Sequence, residues 1–190
     1  MTRRSRLPGR SLLPLAALLG GLWLTGCATQ SQGISGADRE ASPADAYTQL
    51  GVAYLERNNL RRAMGALDRA LEIAPDDPEA LQAMAMVYQR QGEEALADET
   101  FRRALAADAD FTRARNNYAA FLYARGRVRE ACEQLERAST DAQYPNRAQL
   151  FANLGQCHRE LGEAQEARRN LQRAQEIDPR APRSYFPLAE

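Results

Sequence analysis

The 190-residue chain is 44% hydrophobic and 26% charged, enough apolar content for one ordinary domain or a short repeat array. Its 25 basic residues are all arginine and are balanced by 25 acidic ones, a mixed pattern with no electrostatic footprint for nucleic acid and no polybasic membrane patch. With a single histidine, neither a His-based metal cluster nor a His-dependent triad is available.

The charge is unevenly placed. Residues 1–26 hold Arg3, Arg4, Arg6 and Arg10 and no acidic residue. An apolar stretch follows from Ser11 to Leu24, "SLLPLAALLGGLWL", broken by Pro14, Gly20 and Gly21. It is shorter than the roughly 20 residues of a bilayer span and fits the apolar region of a secretory signal peptide. It ends on Leu24-Thr25-Gly26-Cys27, which resembles the bacterial lipobox. That resemblance implies removal of residues 1–26 and a diacylglycerol thioether on Cys27. The alternatives are an ordinary signal peptide with an incidental cysteine, or a retained transmembrane anchor. Ala28, rather than aspartate, implies the outer membrane in the resembled sorting system. Acyl chains contribute about 0.8 kcal/mol per buried CH2, so two or three of them anchor firmly. Residues 27–43, rich in Ser, Gly, Gln and Ala with one isolated Ile34, read as a flexible lipid-anchored linker.

From residue 44 the sequence repeats with a period of 34. The alanines show it most plainly, at 63, 97, 131 and 167 and again at 70, 104, 138 and 174, the last step being 36. Tyr47, Leu50, Gly51 and Tyr54 return as Leu81, Met84, Ala85 and Tyr88, then as Arg115, Tyr118, Ala119 and Leu122, then as Phe151, Leu154, Gly155 and His158. Offsets 4, 7, 8 and 11 make an apolar stripe on a first helix, and offsets 20, 24 and 27 make one on a second. Ser42-Pro43 and Asp77-Pro78 signal helix starts, and Asp76-Asp77 and Glu93-Glu94 read as caps rather than catalytic pairs. Asn58, Gly92, Gly126 and Gly162 stand where a left-handed residue would end each first helix. The pattern resembles the tetratricopeptide repeat. It predicts an all-α superhelix of four helix pairs, over residues 44–77, 78–111, 112–147 and 148–181, with residues 182–190 starting an incomplete fifth.

The third and fourth repeats, "RNNYAAFLYARGRVREACEQLERAS" and "YPNRAQLFANLGQCHRELGEAQEA", carry a narrower resemblance. Asn116, Asn117, Tyr118, Phe121, Leu122 and Tyr123, with Tyr144, Pro145, Arg147, Phe151, Asn153, Leu154 and Gly155, are similar to the type IV pilus biogenesis lipoproteins of the PilF/PilW family. The resemblance implies a pilotin: a lipoprotein on the periplasmic side of the outer membrane that helps the pilus secretin assemble and localise, without catalysis or cofactor. The family usually carries about six repeats, more than are seen here. A generic periplasmic adaptor for peptidoglycan or envelope enzymes is the alternative, and a hydrolase with an unrecognised site is a third reading.

In such a superhelix the first helices line a groove. Gln49, Val52, Leu55, Met86, Asn116, Asn117, Tyr123, Asn153 and Gln156 are the candidate groove residues, the amides to hold peptide backbone and the apolar ones to take side chains. Cys132 and Cys157 fall on neighbouring helices. In an oxidising periplasm they invite a disulfide that closes a loop of roughly 25 residues, a contribution of about 3–4 kcal/mol. The alternative is two small buried thiols. His158 sits at a packing offset. No phosphate loop, CxxC or nucleophile motif is present, which leaves no catalytic or metal residue and no small-molecule substrate to nominate.

Overall fold

The computed structural model describes residues 42–180. The leader 1–26, Cys27, nearly all of the linker and the fifth-repeat start 182–190 lie outside the described residues. Eight helices follow one another: α1 (Pro43–Glu56), α2 (Leu60–Ile73), α3 (Pro78–Gln91), α4 (Glu94–Ala107), α5 (Thr112–Ala124), α6 (Val128–Ala138), α7 (Arg147–Glu160) and α8 (Ala164–Ile177). The described residues contain no strand. The fold is all-α, a tetratricopeptide array of four helix pairs.

Local chemistry sets the boundaries. Ser42 and Asp45 form a reciprocal capping box: the Asp45 N–H donates to Ser42 Oγ at 3.1 Å and the Ser42 N–H to Asp45 Oδ2 at 2.9 Å. Pro43 then takes the first helical position, where no N–H is needed. Asp77 caps α3 in the same way, accepting from the Ala80 N–H at 2.6 Å. Glu93 behaves otherwise. It occupies the cap position of α4 but makes no side-chain cap bond. The turn supplies a backbone substitute, the Glu94 N–H donating to the Gly92 carbonyl at 3.0 Å, and the Glu94 carboxylate pairs with Arg125 at 2.8 Å. Each first helix gives way to its partner within three residues, and the crossings at Asn58 (φ 55°), Gly92 (φ 82°), Gly126 (φ 71°) and Gly162 (φ 78°) use the left-handed conformation.

Helices pack as α1 with α2, α3 with α4, α5 with α6 and α7 with α8, and each pair lies against the next. Within a pair the approach is close because the repeat offset 8 is small. A Cβ on Gly51 would sit 2.5 Å from Leu67 Cγ, and one on Gly155 2.7 Å from Leu171 Cγ. Opposite them Ala63, Ala97, Ala131 and Ala167 are all buried. Larger residues fill the space between pairs. Leu67, Phe101 and Leu135, at the same offset of successive repeats, are fully buried, whereas their counterpart Leu171 is 36% exposed. The reason is position: the first three are covered by the following pair, and α8 is the last described helix.

An aromatic cluster fills the junction of repeats two and three. Phe101 stacks on Tyr118 with centroids 5.3 Å apart and lies 5.8 Å from Phe121. Tyr118 keeps its polar end satisfied by donating from Oη to Asp98 at 2.7 Å. Arg127 reaches the same carboxylate from the next repeat at 2.7 Å and also pairs with Glu130 at 2.6 Å, and Arg102 joins Asp98 from within α4. Burial pushes the Asp98 carboxyl up, but the hydrogen bonds from Tyr118 and Arg127, with the charges of Arg102 and Arg127, outweigh it and hold the group below its ordinary value.

Candidate functional site

The first helices α1, α3 and α5 touch in sequence and share one face. Positions along that face recur every 34 residues, so like offsets from successive repeats stand side by side. Where α1, α3 and α5 meet, a cavity of about 430 Å³ opens. Its apolar surface comes from Val52, Ala53, Leu55, Ala83 and Met86, and its amides from Gln49, Gln82 and Asn117. Five candidate groove residues therefore converge here: Gln49, Val52, Leu55, Met86 and Asn117.

The polar groups of this cavity are oddly matched. Gln82, almost fully buried, donates its Nε2 to the Met86 thioether at 3.0 Å. Asn117 Nδ2 approaches the same sulfur from α5 at 3.5 Å. A thioether is a weak acceptor, so two carboxamides from successive repeats converge on a poor partner. Thr48, 3% exposed, has a hydroxyl with no hydrogen-bond partner. The charges are matched well. Arg113 pairs with Glu79 across the repeat boundary at 2.7 Å, and Arg90 donates to the Leu55 carbonyl at the end of α1, which also accepts from the Asn58 N–H at 2.9 Å.

The other four candidates lie along the same face in repeats three and four and do not line this cavity. Asn116 Oδ1 accepts from Asn153 Nδ2 at 3.4 Å, and Asn153 Oδ1 accepts from Gln149 Nε2 at 2.9 Å. Gln156 Nε2 reaches Tyr123 Oη at 3.4 Å and Glu160 at 2.8 Å, while Arg159 donates to its other end. Tyr123, Asn153 and Gln156 are all buried, and burial pushes the Tyr123 phenol up. Gln149, Asn153 and Asn116 thus form a ladder from α7 to α5, and Gln156 ties α7 to Tyr123 on α5.

Cys132 on α6 and Cys157 on α7 are joined in the structure, with S–S 2.10 Å and Cα–Cα 5.6 Å. His158 is buried, its Nδ1 2.6 Å from Glu163 at the start of α8 and its Nε2 3.7 Å from Glu136 on α6. The described residues hold no cluster suited to a metal ion and no helix long and apolar enough to cross a membrane. Sequence reasoning did not single out Glu79 and Arg113. Their signal was present: opposite charges at one offset of successive repeats, 34 residues apart.

Comparison with known proteins agrees with this architecture. Tetratricopeptide-repeat families match residues 44–86, 78–111 and 110–180. The type IV pilus assembly protein PilF of Pseudomonas aeruginosa is 38% identical over 169 residues, covering 88% of this chain and 67% of the relative. An uncharacterized protein of Haemophilus influenzae is 25% identical over 164 residues, covering 86% of this chain and 90% of the other. The solved structure of Pseudomonas aeruginosa PilF superposes with a TM-score of 0.71 at 39% identity, over 74% of this chain and 63% of that one. That of PilW, a type IV pilus biogenesis factor, gives 0.66 at 29% identity, over 72% and 62%. The chain thus spans somewhat under two thirds of those two solved structures. Strong identity across most of the chain, with the same helix pairs in the same order, makes it a member of the PilF family of tetratricopeptide-repeat proteins.

Proposed function

We propose that this protein is a pilotin: a lipoprotein held in the outer membrane through acylated Cys27, facing the periplasm, that assists assembly and localisation of the type IV pilus secretin. The tetratricopeptide scaffold and the family relation support an adaptor role with protein partners in the pilus machinery. The observation that carries the reading is the cavity between α1, α3 and α5, where apolar side chains and poorly partnered amides meet on the face shared by the first helices. Leu24-Thr25-Gly26-Cys27 supports the lipid anchor, and the Ser-, Gly-, Gln- and Ala-rich composition of residues 27–43 supports a linker between anchor and array.

The Cys132–Cys157 bridge serves as a brace in this reading. It ties the second helix of repeat three to the first of repeat four and keeps the array rigid between membrane and partner. Deleting the gene and fractionating the envelope tests the whole proposal. Secretin multimers should disappear from the outer membrane, and Cys27→Ser should leave the protein soluble and the multimers misplaced. If peptidoglycan enzymes, rather than secretin, co-purify with the wild-type lipoprotein and multimers persist in the deletion strain, the protein is an envelope-enzyme adaptor instead.

A further inference from the structure

We propose that Arg115 and Arg137 together clasp a carboxylate on an acidic segment of a protein partner, at the junction of repeats two and three. The site shares no lining residue with the cavity between α1, α3 and α5, and it does not depend on the pilotin reading.

The repeat pattern departs from itself here. Offset 4 carries Tyr47, Leu81 and Phe151 in repeats one, two and four, and Arg115 in repeat three. A cation at a packing position breaks a local rule, and such breaks concentrate at functional places. Offset 26 holds an arginine in every repeat: Arg69, Arg103, Arg137 and Arg173. In repeats one and four it pairs with a glutamate three residues on, Arg69 with Glu72 at 2.6 Å and Arg173 with Glu176 at 3.0 Å. In repeat three that place holds Thr140. In repeat two, where it holds Ala106, Arg103 donates instead to the Pro75 carbonyl of the preceding loop at 3.4 Å. The corresponding carbonyl in repeat three, that of Ala109, is taken by Arg115, whose Nε and Nη2 donate to it at 3.1 and 2.6 Å. Arg137 is thereby left with no carboxylate partner among the described residues.

Arg115 has none either. Its remaining bond, from Nη1 to Gln134 Oε1 at 2.8 Å, also goes to a neutral acceptor. Burial and the charge of Arg137 push the Arg115 guanidinium below its ordinary value, against the opposing pull of Asp110 and Asp108. Arg69 and Arg127, bonded to Glu72 and Glu130, are held above theirs. Two guanidinium groups thus stand close together with no anion between them. A carboxylate relieves that repulsion and accepts parallel N–H bonds from the planar forks.

The surroundings select the anion. Asp110 and Asp141 border the same cleft, so its four charges sum to zero and a monoanion suits it better than a phosphate dianion. Asp141 is already engaged, accepting from Thr112 Oγ1 at 2.7 Å and the Gln143 N–H at 2.8 Å. This cleft, about 610 Å³, meets a second of about 430 Å³ at Ala109, Arg115 and Arg137. Leu105 and Ala106 give the second cleft an apolar wall, and Glu130 and Glu133, which also line it, disfavour a second acid there. A lone ion fills little of this space. A peptide sets its carboxylate between the guanidinium groups and lays a neighbouring aliphatic side chain on Leu105 and Ala106.

The test uses the full chain in detergent micelles with nitrogen-15 arginine, the Arg115 and Arg137 Nε signals being assigned by Arg115→Lys and Arg137→Lys. The probe is acetyl-Ser-Leu-Glu-Ser-amide, beside the same peptide with Gln for Glu, acetate, and inorganic phosphate. The glutamate peptide should shift both signals saturably, and less tightly as salt rises, while the glutamine peptide leaves them in place. Acetate and phosphate, lacking the aliphatic side chain, should bind about tenfold more weakly. Arg137→Gln should weaken peptide binding by about tenfold. Thr140→Glu, which restores the acid of repeats one and four, should weaken it too, and Arg69→Gln should not. The proposal is overturned if the glutamate peptide moves neither signal, if the glutamine peptide moves both, or if Arg137→Gln binds like wild type. Equal binding of acetate or phosphate and the peptide would also overturn it, leaving an adventitious ion only.

Discussion

The first-helix face of repeats one and two differs from that of repeats three and four, although both are built on one repeating pattern. In the first, Gln82 and Asn117 settle for a sulfur and Thr48 has no partner. In the second, Gln149, Asn153 and Asn116 bond one another and Gln156 bonds Tyr123, although Gln149 Oε1 and Arg147 Nε have no partner. The backbone offsets are the same; the side chains opposite them are not. Small and flexible residues, Ala53, Ala83 and Met86, leave space in the first half. In the second, the longer Gln156 fills across to Tyr123, and α6 is bonded covalently to α7. A repeat scaffold thus carries two kinds of first-helix face along one chain: one bordered by small side chains around a cavity, and one crossed by a side-chain hydrogen-bond ladder and flanked by a disulfide.

The sharpest way to break that contrast is a pair of truncations. Phe101→Ala removes a fully buried ring packed on Tyr118 and Phe121 and should cost about 3–5 kcal/mol. Met86→Ala, at a half-buried side chain already bordering a cavity, should cost on the order of 1 kcal/mol, because less packing is lost where space already exists. Urea unfolding of both variants measures the difference, and equal losses would dissolve the distinction. The disulfide comes next. Replacing Cys132 and Cys157 together by serine should lower stability by about 2–4 kcal/mol and leave the carbon-13 methyl signal of Met86, at the α1–α3–α5 cavity, in place. A shift of that signal would mean that the two halves are coupled.

The outline of this contrast was legible in the sequence, and its content was not. Alanines at 63, 97, 131 and 167 announce close helix pairs because only small residues permit them, and the structure buries all four. Likewise the left-handed positions Asn58, Gly92, Gly126 and Gly162 could be placed from their offsets, and each has a positive φ. Five groove candidates, Gln49, Val52, Leu55, Met86 and Asn117, meet in one cavity for the same reason. Asn153 and Gln156 stand at equally groove-like offsets and are buried. Periodicity says which way a side chain points, not what stands across from it. Whether an amide is open or already bonded depends on side-chain length in the next repeat, a pairwise property that a single-chain period does not carry. Glu93 stands at the cap position of α4 yet makes no side-chain cap bond, since capping is the work of short Ser, Thr, Asp and Asn side chains.

A smaller effect tests how repeat two is tied to repeat three. Asp98 accepts from Tyr118 and Arg127, both in the following repeat. Asp98→Asn should cost about 1–3 kcal/mol, as expected for charge-assisted bonds in a partly buried setting. The folded carboxyl lies below its ordinary value. Its contribution is therefore complete above the unfolded-state value, near pH 4, and disappears as pH falls through the lower folded-state value. In urea titrations between pH 7 and pH 2, wild type should lose this stability on acidification, and Asp98→Asn should show a shallower acid slope. Parallel slopes would mean that Arg127 draws its hold from Glu130 alone.

The smallest effect expected carries an opposite sign. Thr48→Val exchanges an unpartnered buried hydroxyl for a methyl group of similar size. Since an unsatisfied buried polar group costs free energy in the folded state, and valine removes that group without changing the packing volume, the free protein should become more stable by a few tenths to about 1 kcal/mol. Valine's lower helix propensity subtracts little, because threonine ranks beside it. A rise in the urea midpoint would mean that the hydroxyl is maintained at a cost in stability. A fall in the midpoint would mean that the hydroxyl supports the fold itself, as the ladder supports the other face.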